Sequence, residues 1–127
     1  LASIVEKESS GDEQIRAKVA AVFYNRLETT GEPSYGFLQS DATTAYEVGH
    51  DPTPEEVHAE TPYSTYTNKG LPPTPIANPG LASIKATLSP ASTQALYYAL
   101  DAESGTHKFF TNYGEFQAFV AKQSYSQ

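Results

Sequence analysis

A chain of 127 residues with 39% apolar residues is sized for one domain around one modest core. A net charge of −7 without any cluster of Lys or Arg disfavours a nucleic acid partner, whose phosphates need clustered cations. Cysteine is absent, which excludes disulfides and thiolate metal sites, and no apolar run approaches the roughly 20 residues of a membrane-spanning helix.

In chain order, residues 1–9 predict a helix. Leu1, Ile4, Val5 and Glu8 fall at i, i+3, i+4 and i+7, on one face. The opening Leu1-Ala2-Ser3-Ile4 reads as helix interior and not as a leader, so the chain is read as a fragment with any anchor upstream. Gly11 breaks the pattern, and Ser10 with Glu13 predicts a capping box for a second helix. That helix carries Ile15, Val19, Val22, Phe23 and Leu27 on one stripe and ends near Gly31. Residues 31–38 read as a loop. A short helix is expected over 40–48 with Asp41 in its first turn, and Pro54-Glu55-Glu56-Val57 starts another helical turn.

Residues 61–80 contain Pro62, Pro72, Pro73, Pro75 and Pro79, which predicts an irregular, stiff segment. Ordered loops of this length are often functional. Asn78 and Pro79 are the expected N-cap and first residue of a third helix, with Leu81, Ile84 and Leu88 facing inward. Residues 95–100 and Lys108-Phe109-Phe110-Thr111 predict two strands across a turn containing Gly105. Asn112 with Glu115 caps a last helix carrying Phe116, Phe119 and Val120. The fold class is therefore α+β: one helix-rich domain with a small β-hairpin and a long Pro-rich loop lining a groove.

Glu8 stands on the apolar stripe of the first helix, while Glu6 points to the opposite side. A carboxylate on such a face is costly unless it is paired or protonated. Burial raises its pKa, as a general acid near neutral pH requires. From periodicity alone, a structural glutamate paired with an Arg or a backbone amide is the favoured reading.

Ile4-Val5-Glu6-Lys7-Glu8-Ser9 resembles the signature of the YceG-like family, the MltG endolytic murein transglycosylases. Further stretches resemble that family in order: Val19-Ala20-Ala21-Val22-Phe23-Tyr24-Asn25-Arg26-Leu27, Leu38-Gln39-Ser40-Asp41, Tyr63-Ser64-Thr65-Tyr66, and Gly70-Leu71-Pro72-Pro73-Thr74-Pro75-Ile76-Ala77-Asn78-Pro79-Gly80. Ser83-Ile84-Lys85-Ala86, Ser89-Pro90-Ala91, Leu96-Tyr97-Tyr98 and His107-Lys108-Phe109 continue the match. The chain departs from the family pattern at Ser64, usually Asn, at Ala42, commonly Pro, at Phe37, frequently Met, and in a longer loop over 28–37.

The resemblance implies that residues 1–127 are a transglycosylase catalytic domain with Glu8 as the catalytic residue. It implies cleavage of the MurNAc–GlcNAc bond within peptidoglycan glycan strands, leaving 1,6-anhydroMurNAc ends. It also implies a single membrane anchor and a LysM-like part upstream, a place on the extracytoplasmic face of the bacterial cell membrane, and peptidoglycan synthases as partners. No cofactor is expected. No metal is expected either, because His50, His58 and His107 lack metal-ligand spacing.

Gln39 and Ser40 are expected to bind sugar hydroxyls or N-acetyl groups, or else to fix their own turn. Tyr63 and Tyr66 offer apolar faces with polar tips, for sugar or for packing under the Pro-rich loop. Asn78 caps a helix or touches substrate. Asp41 is expected to be a first-turn residue stabilised by the helix dipole, and is the best candidate if a second carboxylate takes part. Arg26 is expected to be structural, with Glu6 or Asp41 as candidate partners. A hydrolase of the same substrate and a non-catalytic glycan-binding or scaffold module are the competing classes. A phosphate-binding protein is disfavoured because no Gly-rich phosphate loop occurs.

Overall fold

The computed structural model describes residues 1–9, 12–29, 31, 34–101 and 103–123. The described residues form helices α1 (Ala2–Glu8), α2 (Glu13–Glu28), α3 (Asp41–Val48), α4 (Pro54–His58) and α5 (Leu81–Leu88). Strands β1 (Tyr97–Leu100) and β2 (His107–Phe110) and helix α6 (Tyr113–Ala121) follow. The class is the expected α+β. Among the described residues, no helix is long and apolar enough to cross a membrane.

The centre is built by α1, α2 and α5. Ile4, Val5, Val19, Ala20, Phe23, Leu38, Ile76 and Ala86 form one buried cluster. Phe23 is its largest fully buried side chain. The apolar stripes read from α1 and α2 therefore do face inward, as area burial demands.

Helix ends show where local signals won and where they lost. Asp12, not Ser10, is the N-cap of α2, and its carboxylate accepts from Gln14 N at 2.6 Å. Ser10 lies outside the described residues. Helix α3 ends at Gly49, whose φ of 82° is left-handed and suits a residue without Cβ. A full capping box of Thr53 and Glu56 starts α4, and Asn112 caps α6 by accepting from Glu115 N.

Helix α5 departs most from expectation. Its N-cap is Gly80, and neither Asn78 nor Pro79 starts it. The cap is supplied from another helix: Glu6 Oε1 accepts from Gly80 N at 2.7 Å and from Ser83 Oγ at 3.0 Å. A Cβ on Gly80 would come within 3.2 Å of that carboxylate oxygen, so the position favours glycine by close approach. The inward face of α5 carries Ser83 and Ala86, while Leu81, Ile84 and Leu88 are exposed, Leu88 by 79%. Small side chains let α5 come close to α1 and α2. The polar Ser83 is satisfied there, because Arg16 Nη1 donates to it at 2.8 Å.

The irregular segment after α4 is pinned by hydrogen bonds and not by regular structure. Gln39 N donates to Thr65 O at 3.1 Å, and Ile76 N donates to Ser3 Oγ at 3.0 Å. Buried Ser64 donates to Val57 O at 2.8 Å, and Asn68 Nδ2 donates to Thr61 O and Ser64 O. The strands are antiparallel with Tyr97 opposite Phe110 and Tyr98 opposite Phe109. That hairpin is the platform on which α6 rests and which faces α2.

Candidate active site

Glu8 is the last residue of α1, and the buried Ile4 and Val5 one turn earlier press this helix into the core. The Glu8 side chain thereby enters the region between α3 and β1. Tyr98 OH donates to Glu8 Oε2 at 2.6 Å. Tyr98 is held in turn by edge-on contact with Phe23 and by the rings of His107 and Phe109.

Burial holds the Glu8 carboxyl above the usual carboxylate range. The hydrogen bond from Tyr98 works against that shift, as does the Ser40 hydroxyl, which sits beside the carboxylate outside strict hydrogen-bond geometry. The charge of Asp41 adds to the shift and that of Arg26 opposes it. Loss of water outweighs the favourable contacts, so the proton is retained more readily than in a solvated glutamate.

Asp41 opens α3 and is exposed to the groove. Its Oδ1 accepts from Tyr66 OH at 2.8 Å. Each carboxylate therefore has one tyrosine hydroxyl, from two different parts of the chain. Gln39 adopts a φ of 57°, a left-handed conformation that costs a residue with a Cβ about 1–2 kcal/mol. The bonds tying Gln39 and Ser40 to Thr65 hold it there.

Arg26 is buried and bonds to backbone carbonyls, and neither candidate partner, Glu6 or Asp41, pairs with it. Its Nε donates to Leu96 O at 2.7 Å and its Nη1 to Leu38 O at 2.5 Å. The guanidinium lies over the rings of Phe23, Tyr97 and Tyr98 at 5.6–6.0 Å. It thus ties the strand bearing Tyr98 to the loop bearing Gln39. Glu6 meets Arg16 at 3.8 Å instead.

Two hollows meet at Glu8 and Asp41. One, of about 560 Å³, is lined by Lys7, Ala42, Ala45, Tyr46, Asp51, Pro52 and Ile76 besides the two acids. The other, of about 420 Å³, adds Arg26, Gln39, Tyr66, Tyr97, Tyr98, Tyr113 and Phe116. Of the residues singled out in the sequence, Glu8, Gln39, Asp41 and Tyr66 come together here, with Ser40 buried beneath them. Tyr63 lines neither hollow. It hydrogen-bonds Thr74 Oγ1 at 2.7 Å and props the ring of Tyr46 at 5.4 Å. Asn78 is exposed and also lines neither hollow. Tyr98, Tyr97, Tyr113 and Phe116 were given no role by sequence reasoning. The Leu96-Tyr97-Tyr98 run was visible, but a strand pattern does not say which acid its rings will meet.

Known proteins bear on this geometry. The chain is 39% identical over 101 residues to the endolytic murein transglycosylase of Bacillus subtilis (strain 168), covering 77% of this chain and 26% of that protein. It is 29% identical over 130 residues to the endolytic murein transglycosylase of Streptococcus pneumoniae serotype 2 (strain D39 / NCTC 7466), covering 96% and 22%. It thus spans about a quarter of the length of these relatives. A crystal structure of a yceG-like protein from Listeria monocytogenes superposes with a TM-score of 0.81 at 35% identity, covering 92% of this chain and 37% of that one. The model of the YceG-like family matches residues 1–122, and the chain belongs to that family.

Proposed function

We propose that these residues are the catalytic domain of a peptidoglycan lytic transglycosylase in which Glu8 is the single acid and base. The observation that carries the reading is the position of Glu8: a largely buried carboxyl with a raised pKa that lines two adjoining hollows at once. An acid shared by two hollows suits a glycosidic bond whose two sugar rings are held separately. The names of the relatives point to the same substrate.

In this mechanism Glu8 donates its proton to the glycosidic oxygen between MurNAc and GlcNAc, and the C1–O bond breaks. The carbonyl oxygen of the substrate's own N-acetyl group meets the positive charge at C1. Glu8, now a carboxylate, takes the proton of the C6 hydroxyl as O6 bonds to C1. The product carries a 1,6-anhydro ring, no water is consumed, and Glu8 ends protonated. Positioned proton transfer of this kind is worth about 10²–10⁴ in rate. Tyr98 is the positioning residue that aims the carboxyl. The whole protein, in this reading, is anchored upstream in the membrane, acts on its extracytoplasmic face and works beside peptidoglycan synthases.

Asp41 favours one other reading. Most glycosidases use two carboxyl groups, and a second one is present. A hydrolase would use Asp41 to activate water. Digestion of purified glycan strands, followed by mass spectrometry, separates the cases. Products one water lighter than reducing-end fragments, lost in Glu8→Gln, establish the lytic reaction. Reducing ends establish hydrolysis. A folded wild type that yields neither, even as the full-length protein, leaves a glycan-binding or scaffold module.

A further inference from the structure

The smaller hollow has a wall that the chemistry at Glu8 does not use. Helix α6 has no buried residue and rests on the hairpin through its rings. Phe119 and Phe116 meet Phe110 at 5.2 and 6.0 Å, and Phe116 stacks on Tyr97 at 5.1 Å with planes 23° apart. Those contacts anchor the helix. Tyr113 is different: it touches Tyr97 at 5.4 Å and Phe116 at 6.1 Å, yet remains 50% exposed at the mouth of the hollow. Three aromatic residues thus form a stepped surface, with Tyr97 buried at its base and Tyr113 wet at its edge.

Gln39 lines the same hollow. Its left-handed backbone is maintained by the bonds to Thr65, and strained non-glycine positions cluster where a side chain must be aimed. An amide offers both a donor and an acceptor. Aromatic faces take the C–H face of a pyranose ring, whose apolar hydrogens are drawn to the negative face of the π-system. An amide matches the carbonyl and N–H of an acetamido group. At about 420 Å³ the hollow falls in the range of small-molecule sites, about 300–1,000 Å³.

We infer that Tyr113, Tyr97, Phe116 and Gln39 form a subsite for one N-acetylated hexosamine ring on one side of Glu8, with Tyr113 as its stacking face and Gln39 as the reader of the acetamido group. The inference rests on the reading of the groove as a glycan site, and it adds where one ring sits and how the N-acetyl group is distinguished.

The test uses chito-oligosaccharide, the tetramer of N-acetylglucosamine, against its deacetylated form and against cellotetraose. Binding is followed by calorimetry with wild type, Tyr113→Ala, Tyr113→Phe, Gln39→Ala and the control Leu88→Ala, which lies on a different hollow. The chain has no tryptophan, so Tyr113→Trp adds a single emitter that reports the ring directly. Tyr113→Ala is expected to weaken the acetylated tetramer about tenfold, the loss of one good aromatic contact. Tyr113→Phe and Leu88→Ala retain affinity. Gln39→Ala narrows the preference for the acetylated over the deacetylated tetramer. Equal affinity of Tyr113→Ala and wild type overturns the subsite, as does a folded wild type that binds none of the sugars. Cleavage is scored separately. Strands cut with an unchanged KM by Tyr113→Ala remove the subsite and leave the enzyme. Tetramer bound through Tyr113 by a protein that cuts nothing keeps the subsite and removes the transglycosylase reading.

Discussion

A side chain that must give up a proton near neutral pH and take one back has to be kept from water without being left unpartnered. Glu8 meets both demands, because burial raises its pKa while Tyr98 keeps one oxygen hydrogen-bonded. The balance predicts the effect of removing the hydroxyl. Tyr98 favours the charged form, so Tyr98→Phe raises the pKa of Glu8 further. In the proposed mechanism Glu8 must be protonated to act as an acid, so kcat/KM is expected to fall as pH rises through its pKa. The alkaline limb of the pH profile is therefore expected to move to higher pH in Tyr98→Phe, with a lower maximum from loss of aim. A carboxyl ¹³C titration of Glu8 checks the same shift without substrate. Glu8→Gln is expected to reduce cleavage by at least about 100-fold while leaving the fold intact.

At the scale of elements, two connections decide the groove. Arg26 links Leu96 O beside β1 to Leu38 O before α3, and so sets the distance between Tyr98 and Gln39. Hydrogen bonds from a charged donor are worth about 1.5–3 kcal/mol each, so Arg26→Leu is expected to cost about 3 kcal/mol or more in urea unfolding. Lysine lacks the fork that reaches both carbonyls, and Arg26→Lys recovers only part of the loss. The second connection is Glu6, which caps α5 from α1. The orientation of α5 is testable by contrast. Ile84→Lys, on the exposed face, is expected to change stability by less than about 0.5 kcal/mol. Ala86→Leu, on the face against α2, is expected to cost about 1–3 kcal/mol through overpacking. A large loss at Ile84 with none at Ala86 contradicts this orientation.

For the whole molecule, the two glutamates of α1 set opposite pH dependences. Glu8 has its pKa raised by burial, so the folded state holds its proton more tightly than the unfolded chain. Its contribution to stability is full below the ordinary value of 4.5 and is lost as pH rises through the raised value. Glu6 has its pKa lowered, first by the hydrogen bond from Gly80 N. Its contribution is present above 4.5 and is lost as pH falls through the lowered value. Glu8→Gln removes the first dependence alone. The Tm of this variant is expected to exceed that of wild type by a margin that grows as pH rises from 4.5, read by thermal unfolding. A margin that does not change with pH means that Glu8 is not desolvated in the folded protein.

The sequence by itself determined what short-range physics controls. Period-3.6 stripes placed Ile4, Val5, Val19 and Phe23 in the core, and turn and capping residues marked α3, α4, the hairpin and α6. The family resemblance pointed to Glu8 as the catalytic candidate, whereas periodicity alone favoured a structural glutamate. Tertiary structure decided what depends on distant partners. Helix α5 turned its leucines outward because close packing against α1 and α2 favours Ser83 and Ala86, and its cap came from Glu6, 74 residues earlier than the amide it meets. Arg26 bonded carbonyls instead of a carboxylate because its neighbours on α2 carry it under the hairpin. Tyr98 reached Glu8 across 90 residues of chain. No local pattern encodes such meetings, since they arise only when separately formed elements are packed together.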